Sequence, residues 1–279
     1  MSIALQVALV MVTILVVLLV IGAPIGVAIG MSSAVSMICM IPADVSFATS
    51  AQRIFAGSNS FSLIAIPFFI LAGNIMNNGG IATRLVNCAK VISGRMPGAL
   101  AQSNVVANML FGAISGSGAA AAAAMGGTIG PLEEKEGYDK NYSTAVNVAS
   151  APVGMLIPPS NTMIVYSSVA GSVSIAALFM AGYIPGLLWG GAVMILAGIM
   201  AKKRGYQAEQ RVPVKVALKT FWQAIPSLLL IVIVIGGILG GIFTATEGSA
   251  IAVVYATVLS LIYKAFKIKD IPRIVLEAA

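Results

Sequence analysis

The chain has 279 residues, of which 59% are hydrophobic and 9% charged, with a net charge of +7 and no histidine. A water-soluble domain carries about 25% charged residues, so this is an integral membrane protein, and long apolar runs without barrel-type alternation make it all-α and polytopic. The positive charges fall in short loops between apolar runs, which speaks against nucleic-acid binding, and the lack of histidine removes the commonest general base and metal ligand, which speaks against a membrane enzyme.

Taken in order, Ile3–Ile21 is an apolar span. It has no basic segment before it and is not read as a signal peptide. Gly22-Ala23-Pro24 ends it, and a second span covers about Ile25–Ile41. Pro42–Gly57 is read as a polar connection carrying Asp44 and Arg53, and a third span covers about Phe61–Met76. The stretch after it, IATRLVNCAKVIS, has helical spacing and is expected to lie along the membrane surface. Cys39 and Cys88 lie far apart in or near apolar segments, and no disulfide is expected.

Residues 100–131 hold the most informative pattern. Apolar Val105–Ile114 runs into Ser115-Gly116-Ser117-Gly118, and alanine-rich Ala119–Ile129 follows. Each flank makes a helix of about 15 Å, roughly half a bilayer core. The pattern predicts a re-entrant hairpin with its tip near the midplane. A loop, PLEEKEGYDKNY, leads to a span over residues 144–169 that Ile157-Pro158-Pro159-Ser160-Asn161 interrupts. Ile175–Met200 spans again and stops at Lys202-Lys203-Arg204. Ala208–Gln223 reads as an amphipathic interfacial helix with Trp222 as an anchor. Pro226–Ile242 and Ala250–Ile262 are two further spans, and Lys264–Ala279 is a basic amphipathic end.

If the hairpin re-enters, every one of the 16 Lys and Arg residues except Arg53 falls on one side; if it crosses, Lys135 and Lys140 join Arg53. Both arrangements satisfy the positive-inside rule, the hairpin better, and it places the N-terminus outside. The corners Gly22–Gly26 and Thr244–Gly248 resemble one another but face opposite sides, as at the start of an inverted repeat. The expected organisation is a first repeat over 1–207, a connecting helix over 208–224, and an incomplete second repeat over 225–279.

Pro159 removes a helical donor and the Pro158-Pro159 pair forces the chain out of helix, freeing carbonyls. With Ser160 and Asn161 side-chain oxygens, these suit a hard monovalent cation such as Na⁺. Half-helices starting near Ala119 and Thr162 direct N–H groups at the same region, which favours an anionic group. The expected ion ligands are Ser115, Gly116, Ser117, Gly118, Pro158, Ser160 and Asn161. The expected substrate contacts are Ser115, Ser117, Ala119, Ser160 and Asn161. Against this, small residues such as Ala119–Ala124 most often form packing faces, and proline in a span is often a tolerated kink. Glu247 reads as part of a helix-start turn rather than a proton relay, and Asn104, Asn108 and Asn147 as interhelical hydrogen-bonders.

At these residues the chain resembles the large membrane subunit, DctM type, of tripartite ATP-independent periplasmic (TRAP) transporters. The resemblance rests on Ile66–Gly73 with Gly79-Gly80 and Arg84-Leu85, Ser115–Gly118, Gly137-Tyr138-Asp139, Leu156–Asn161, Ile184-Pro185-Gly186 and Gly241–Gly248, in the family's order. It implies a Na⁺-coupled elevator-type importer of organic acids such as C4-dicarboxylates or sialic acids, in the bacterial inner membrane. It also implies a periplasmic substrate-binding protein and a small four-helix membrane subunit as partners, with Na⁺ as coupling ion and no other cofactor. The family's second hairpin and second broken span have no counterpart, so the chain is expected to be a piece of a longer protein. The rival readings are a two-hairpin anion/Na⁺ symporter that needs no binding protein, and a non-transporting scaffold or channel component.

Overall fold

The computed structural model describes residues 3–171, 173–206, 208, 213–266 and 268–278. Among these, all regular structure is helical. Two compact units are present, Met1–Ser60 and Phe61–Ala279.

In the first unit, α1 (Ile3–Val20) packs on α2 (Ile25–Ile38), and α2 on α3 (Ala43–Ser58). The segment expected as a polar connection, 42–57, is therefore a helix. Pro42 precedes it, Asp44 lies in its first turn where the helix dipole favours an acid, and its Ser46 hydroxyl donates to Ala34 O at 2.8 Å. Small side chains (Ala28, Ser32, Ala34, Ser36) form the buried face of α2. The Ser32 and Ser36 hydroxyls turn back onto carbonyls of their own helix, so no polar group is left open there.

The second unit begins with a 3₁₀ turn, Phe61–Ile64, that leads into α4 (Ala65–Asn78). Helix α5 (Ile81–Ser93) buries Ile81, Leu85, Val86 and Ala89 against α6 (Ala99–Ser115) and α13 (Val214–Leu239). Its helical spacing was legible, but the stripe faces protein. Helix α7 (Gly118–Thr128) follows α6, and within the segment read as a loop there is a short helix, α8 (Gly130–Lys135). Then come α9 (Lys140–Ser150), α10 (Val153–Leu156), α11 (Asn161–Ala170), α12 (Ile175–Lys203), α13, α14 (Ala245–Ile262) and α15 (Ile271–Leu276).

Among the described residues, five helices are long and apolar enough to cross a membrane: Ile3–Val20, Phe61–Asn78, Ile175–Lys203, Val214–Leu239 and Ala245–Ile262. Lys140–Leu156 with Asn161–Ala170 makes a sixth candidate, bent by 47° at its break. The chain is thus an all-α polytopic membrane protein. The expected separate helix over 208–224 is not what the structure has: 209–212 lie outside the described residues, and Val214–Leu239 is a single helix that runs through Pro226. The Tyr255 hydroxyl of α14 donates to Pro226 O at 2.8 Å and ties the two helices together at this proline.

Helix α14 opens with a capping box. The Thr244 hydroxyl accepts from Glu247 N, and the Glu247 carboxylate accepts from Thr244 N at 2.7 Å. Glu247 therefore serves the helix start, as its place in Thr-Ala-Thr-Glu dictates.

Candidate functional site: two helix breaks joined at their backbones

Helix α6 stops at Ser115 because Gly116 takes a left-handed conformation, φ +63°, with its N–H bonded to Gly112 O. Ser117 is extended, and its hydroxyl caps α7 by accepting from Ala120 N at 3.3 Å. Helix α7 then folds back along α6. Asn147 on α9 shows this: its Oδ1 accepts from Asn108 Nδ2 on α6 at 3.0 Å, and its Nδ2 donates to Ala122 O on α7 at 2.9 Å. Residues on opposite sides of the tip, at similar distances from it, thus reach one side chain, which requires a hairpin. Its arms are unequal, 17 and 11 residues, or about 25 and 16 Å. Gln102, Ser103 and Asn104 extend the first arm beyond the expected apolar run because each is buried with a partner. The Gln102 side-chain amide donates to Met194 O, the Ser103 hydroxyl meets that of Ser93, and Asn104 Oδ1 accepts from Asn108.

The second break follows α10. Ile157 is extended, a cis peptide links Pro158 and Pro159, and Ser160 is extended and caps α11 by accepting from Met163 N at 3.4 Å. Both breaks therefore end in a serine N-cap. The Ser160 hydroxyl also donates to Met155 O and lies 2.9 Å from the Thr162 hydroxyl.

The two breaks touch. Asn161 N–H donates to Gly116 O at 3.2 Å. A Cβ on Gly116 would lie 3.0 Å from Pro159 O and 3.2 Å from both Asn161 N and Asn161 Oδ1, so only glycine leaves room for these atoms. Asn161 Oδ1 is buried and has no hydrogen-bond partner. The approach rests on glycine-to-glycine contact one turn back, where a Cβ on Gly154 would stand 2.6 Å from Gly112 Cα. A Cβ on Gly118 would meet Ala151 O at 3.0 Å, and one on Gly73 of α4 would meet Ser115 Cβ at 2.8 Å. Helix α12 covers the second break with Gly182 against Leu156 O and Gly186 against Ile157.

The structure thus gathers most of the residues singled out in the sequence. Ser115, Gly116, Gly118, Pro158 and Ser160 are buried, Ser117 and Asn161 are half-buried, and Ala119 is exposed. The hydroxyls of Ser117 and Ser160 are engaged as caps, which leaves Asn161 Oδ1 as the buried side-chain oxygen without a partner. Pro159 O, beside Gly116, was not among the expected ligands; the loss of a donor at Pro159 was read, but which carbonyl it would leave at Gly116 was not. Oxygens from an amide and from backbone carbonyls match what a hard monovalent cation takes in place of water, and the arrangement fits Na⁺ on that ground.

An all-α membrane protein whose interrupted helices meet through their non-helical backbone belongs to the class in which irregular backbone is protected by surrounding protein. The family model described as "Tripartite ATP-independent periplasmic transporter, DctM component" matches residues 12–279, and the chain belongs to this family. It is 51% identical over 247 residues to the uncharacterized protein YgiK of Salmonella typhimurium, covering 88% of this chain and 57% of that one. It is 38% identical over 245 residues to the C4-dicarboxylate TRAP transporter large permease protein DctM of Rhodobacter capsulatus, covering 83% and 56%. It is 38% identical over 233 residues to the sialic acid TRAP transporter large permease protein SiaM of Vibrio cholerae, covering 82% and 53%. The chain therefore spans a little over half the length of these relatives. The family is one of transporter permeases and not of enzymes.

Proposed function

We propose that the chain is the greater part of a large TRAP permease that imports an organic anion with Na⁺, and that the joined breaks Ser115–Gly118 and Pro158–Asn161 are one Na⁺ site and one wall of the substrate site. The observation that carries this reading is the 3.2 Å bond from Asn161 N–H to Gly116 O, with the unpartnered Asn161 Oδ1 beside it. A bound ion would supply the partner that this buried amide oxygen lacks. The capped N-termini of α7 and α11 at the same place favour the anion.

The substrate class is a dicarboxylate or a sialic acid, following the relatives named for these, and it is handed over by a periplasmic binding protein. A small four-helix membrane subunit braces the permease, which works in the bacterial inner membrane by an elevator movement with its N-terminus outside. Uptake by the complete permease, small subunit and binding protein in proteoliposomes tests this. Uptake should fall to background when the Na⁺ gradient is abolished, and uptake that continues unchanged refutes the coupling. Uptake that needs Na⁺ but no binding protein would favour the simpler symporter.

A further inference from the structure

Away from the joined breaks, where α6, α7, α8 and α9 meet beyond the open end of the hairpin, lies a cavity of about 360 Å³. Glu133, Asn104 and Ser143 line it. Glu133 is 1% exposed, Asn104 0% and Ser143 8%. Glu133 Oε1, Asn104 Nδ2 and Ser143 Oγ are all buried without a hydrogen-bond partner. Ser143 and Asn104 are the groups that favour a charge on Glu133, they stand outside full hydrogen-bond geometry, and no cation among the described residues joins them, so a charged carboxyl is poorly compensated there.

The orientation of Asn104 narrows the choice. Asn108 Nδ2 lies 2.9 Å from Asn104 Oδ1, 3.0 Å from Asn147 Oδ1 and 2.8 Å from Ser150 Oγ, which fixes it as the amino end. Asn104 therefore turns its carbonyl to Asn108 and its N–H₂ to the cavity. A metal cation at Glu133 would be repelled by that N–H₂, whereas a protonated carboxyl keeps a carbonyl oxygen that can accept from it. Among the described residues, no group of three His, Cys, Asp or Glu that could hold a metal is present.

We propose that Glu133 is a proton-binding site, with Asn104 and Ser143 facing its carboxyl across the cavity and one proton exchanged there with water at the cavity mouth. Burial pushes the carboxyl up to about 7, opposed by smaller downward pulls from Ser143 and Asn104. The other charged and titratable groups around it are few. Its own segment carries Glu134, Lys135 and Glu136, and α9 with the turn before it carries Tyr138, Asp139, Lys140 and Tyr142; α6 and α7 carry none. Exposed Glu134 and Lys140 line the mouth, and no ion pair to Glu133 occurs among the described residues. Glu133 lies in α8, outside the spanning helices, so its proton comes from water. The inference stands independently of the sodium reading.

Infrared difference spectroscopy of the purified chain in lipid, titrated from acid to alkaline pH, tests it. A protonated-carboxyl band should disappear with its midpoint near neutral pH. That band should be absent from Glu133→Gln and present in Glu134→Gln and Glu136→Gln. A band that survives in Glu133→Gln, or one lost only in the ordinary carboxylate range, overturns the proposal. Should Glu133→Gln not fold, Ser143→Ala keeps the carboxyl and removes a donor that favours its charged form. The midpoint should then move up by about one pH unit, and an unmoved midpoint also overturns the proposal.

Discussion

Replacing Gly154 with alanine tests whether the two breaks must be held together. A Cβ there would lie 2.6 Å from Gly112 Cα and 3.5 Å from Asn108 O. Unbonded carbons rest about 3.5–4.0 Å apart, so α10 and α6 must part by about 1 Å. Both contacting groups are backbone, and no flexible side chain can yield, so the cost falls at the upper end of overpacking, about 3 kcal/mol. If α10 carries the following turn with it, the Asn161 N to Gly116 O separation grows from 3.2 Å to about 4 Å, too long for a hydrogen bond. Loss of that one organising contact should weaken Na⁺ about tenfold, equivalent to about 1.4 kcal/mol. The assay is thermal unfolding of the complete permease in detergent over a series of Na⁺ concentrations, with K⁺ as control, since an ion bound to the native state raises its stability. A Gly154→Ala protein that melts like the wild type with the same Na⁺ midpoint would refute both the contact and its link to the ion.

Asn161→Ala in the complete permease should raise the Na⁺ concentration needed for half-maximal uptake while membrane insertion is unchanged; unaltered Na⁺ dependence would count against the site. Ser117→Ala should do the same and also lose about 1 kcal/mol of capping to α7, visible as faster hydrogen exchange at Ala120. For Glu133, the native carboxyl holds its proton more tightly than the unfolded chain does. The penalty for charging it is absent below about 4.5 and complete above about 7, so wild-type stability falls as pH rises through that window. Glu133→Gln escapes the penalty and should be more stable than wild type at pH 8 by about 3 kcal/mol, with the two converging at acid pH; equal unfolding curves at pH 8 would refute this.

How far the sequence discloses this molecule depends on whether a residue acts through its own backbone or through distant partners. Gly116 and Pro159 dictate local breaks, so both interruptions are legible within a residue or two. The Thr244–Glu247 box is local in the same way. By contrast, the apolar run alone starts at Val105, and only Met194 O opposite Gln102 and Asn108 opposite Asn104 show why the first hairpin arm is longer. Residues 42–57 read as a connection because Ser46, Thr49, Ser50, Gln52 and Arg53 dilute the apolar pattern, although the helix there needs only a narrow inner face. Glu133 sits in a run of charges that any sequence reading assigns to water. Its burial depends on how α8 is set against α6 and α9, and nothing local reports that. The contact of Gly112 with Gly154 was equally hidden, since neither glycine breaks its helix.

Asn147 gives the hairpin a mechanical property. Its single amide holds one arm through Asn108 and the other through Ala122, and it belongs to the interrupted span itself. Sliding either arm against that span would break a part-buried hydrogen bond of this amide, so the side chain ties the three segments to one another. A rearrangement that kept these bonds would move the tip of the hairpin and the second interruption together, their spacing set by a residue that lies in neither.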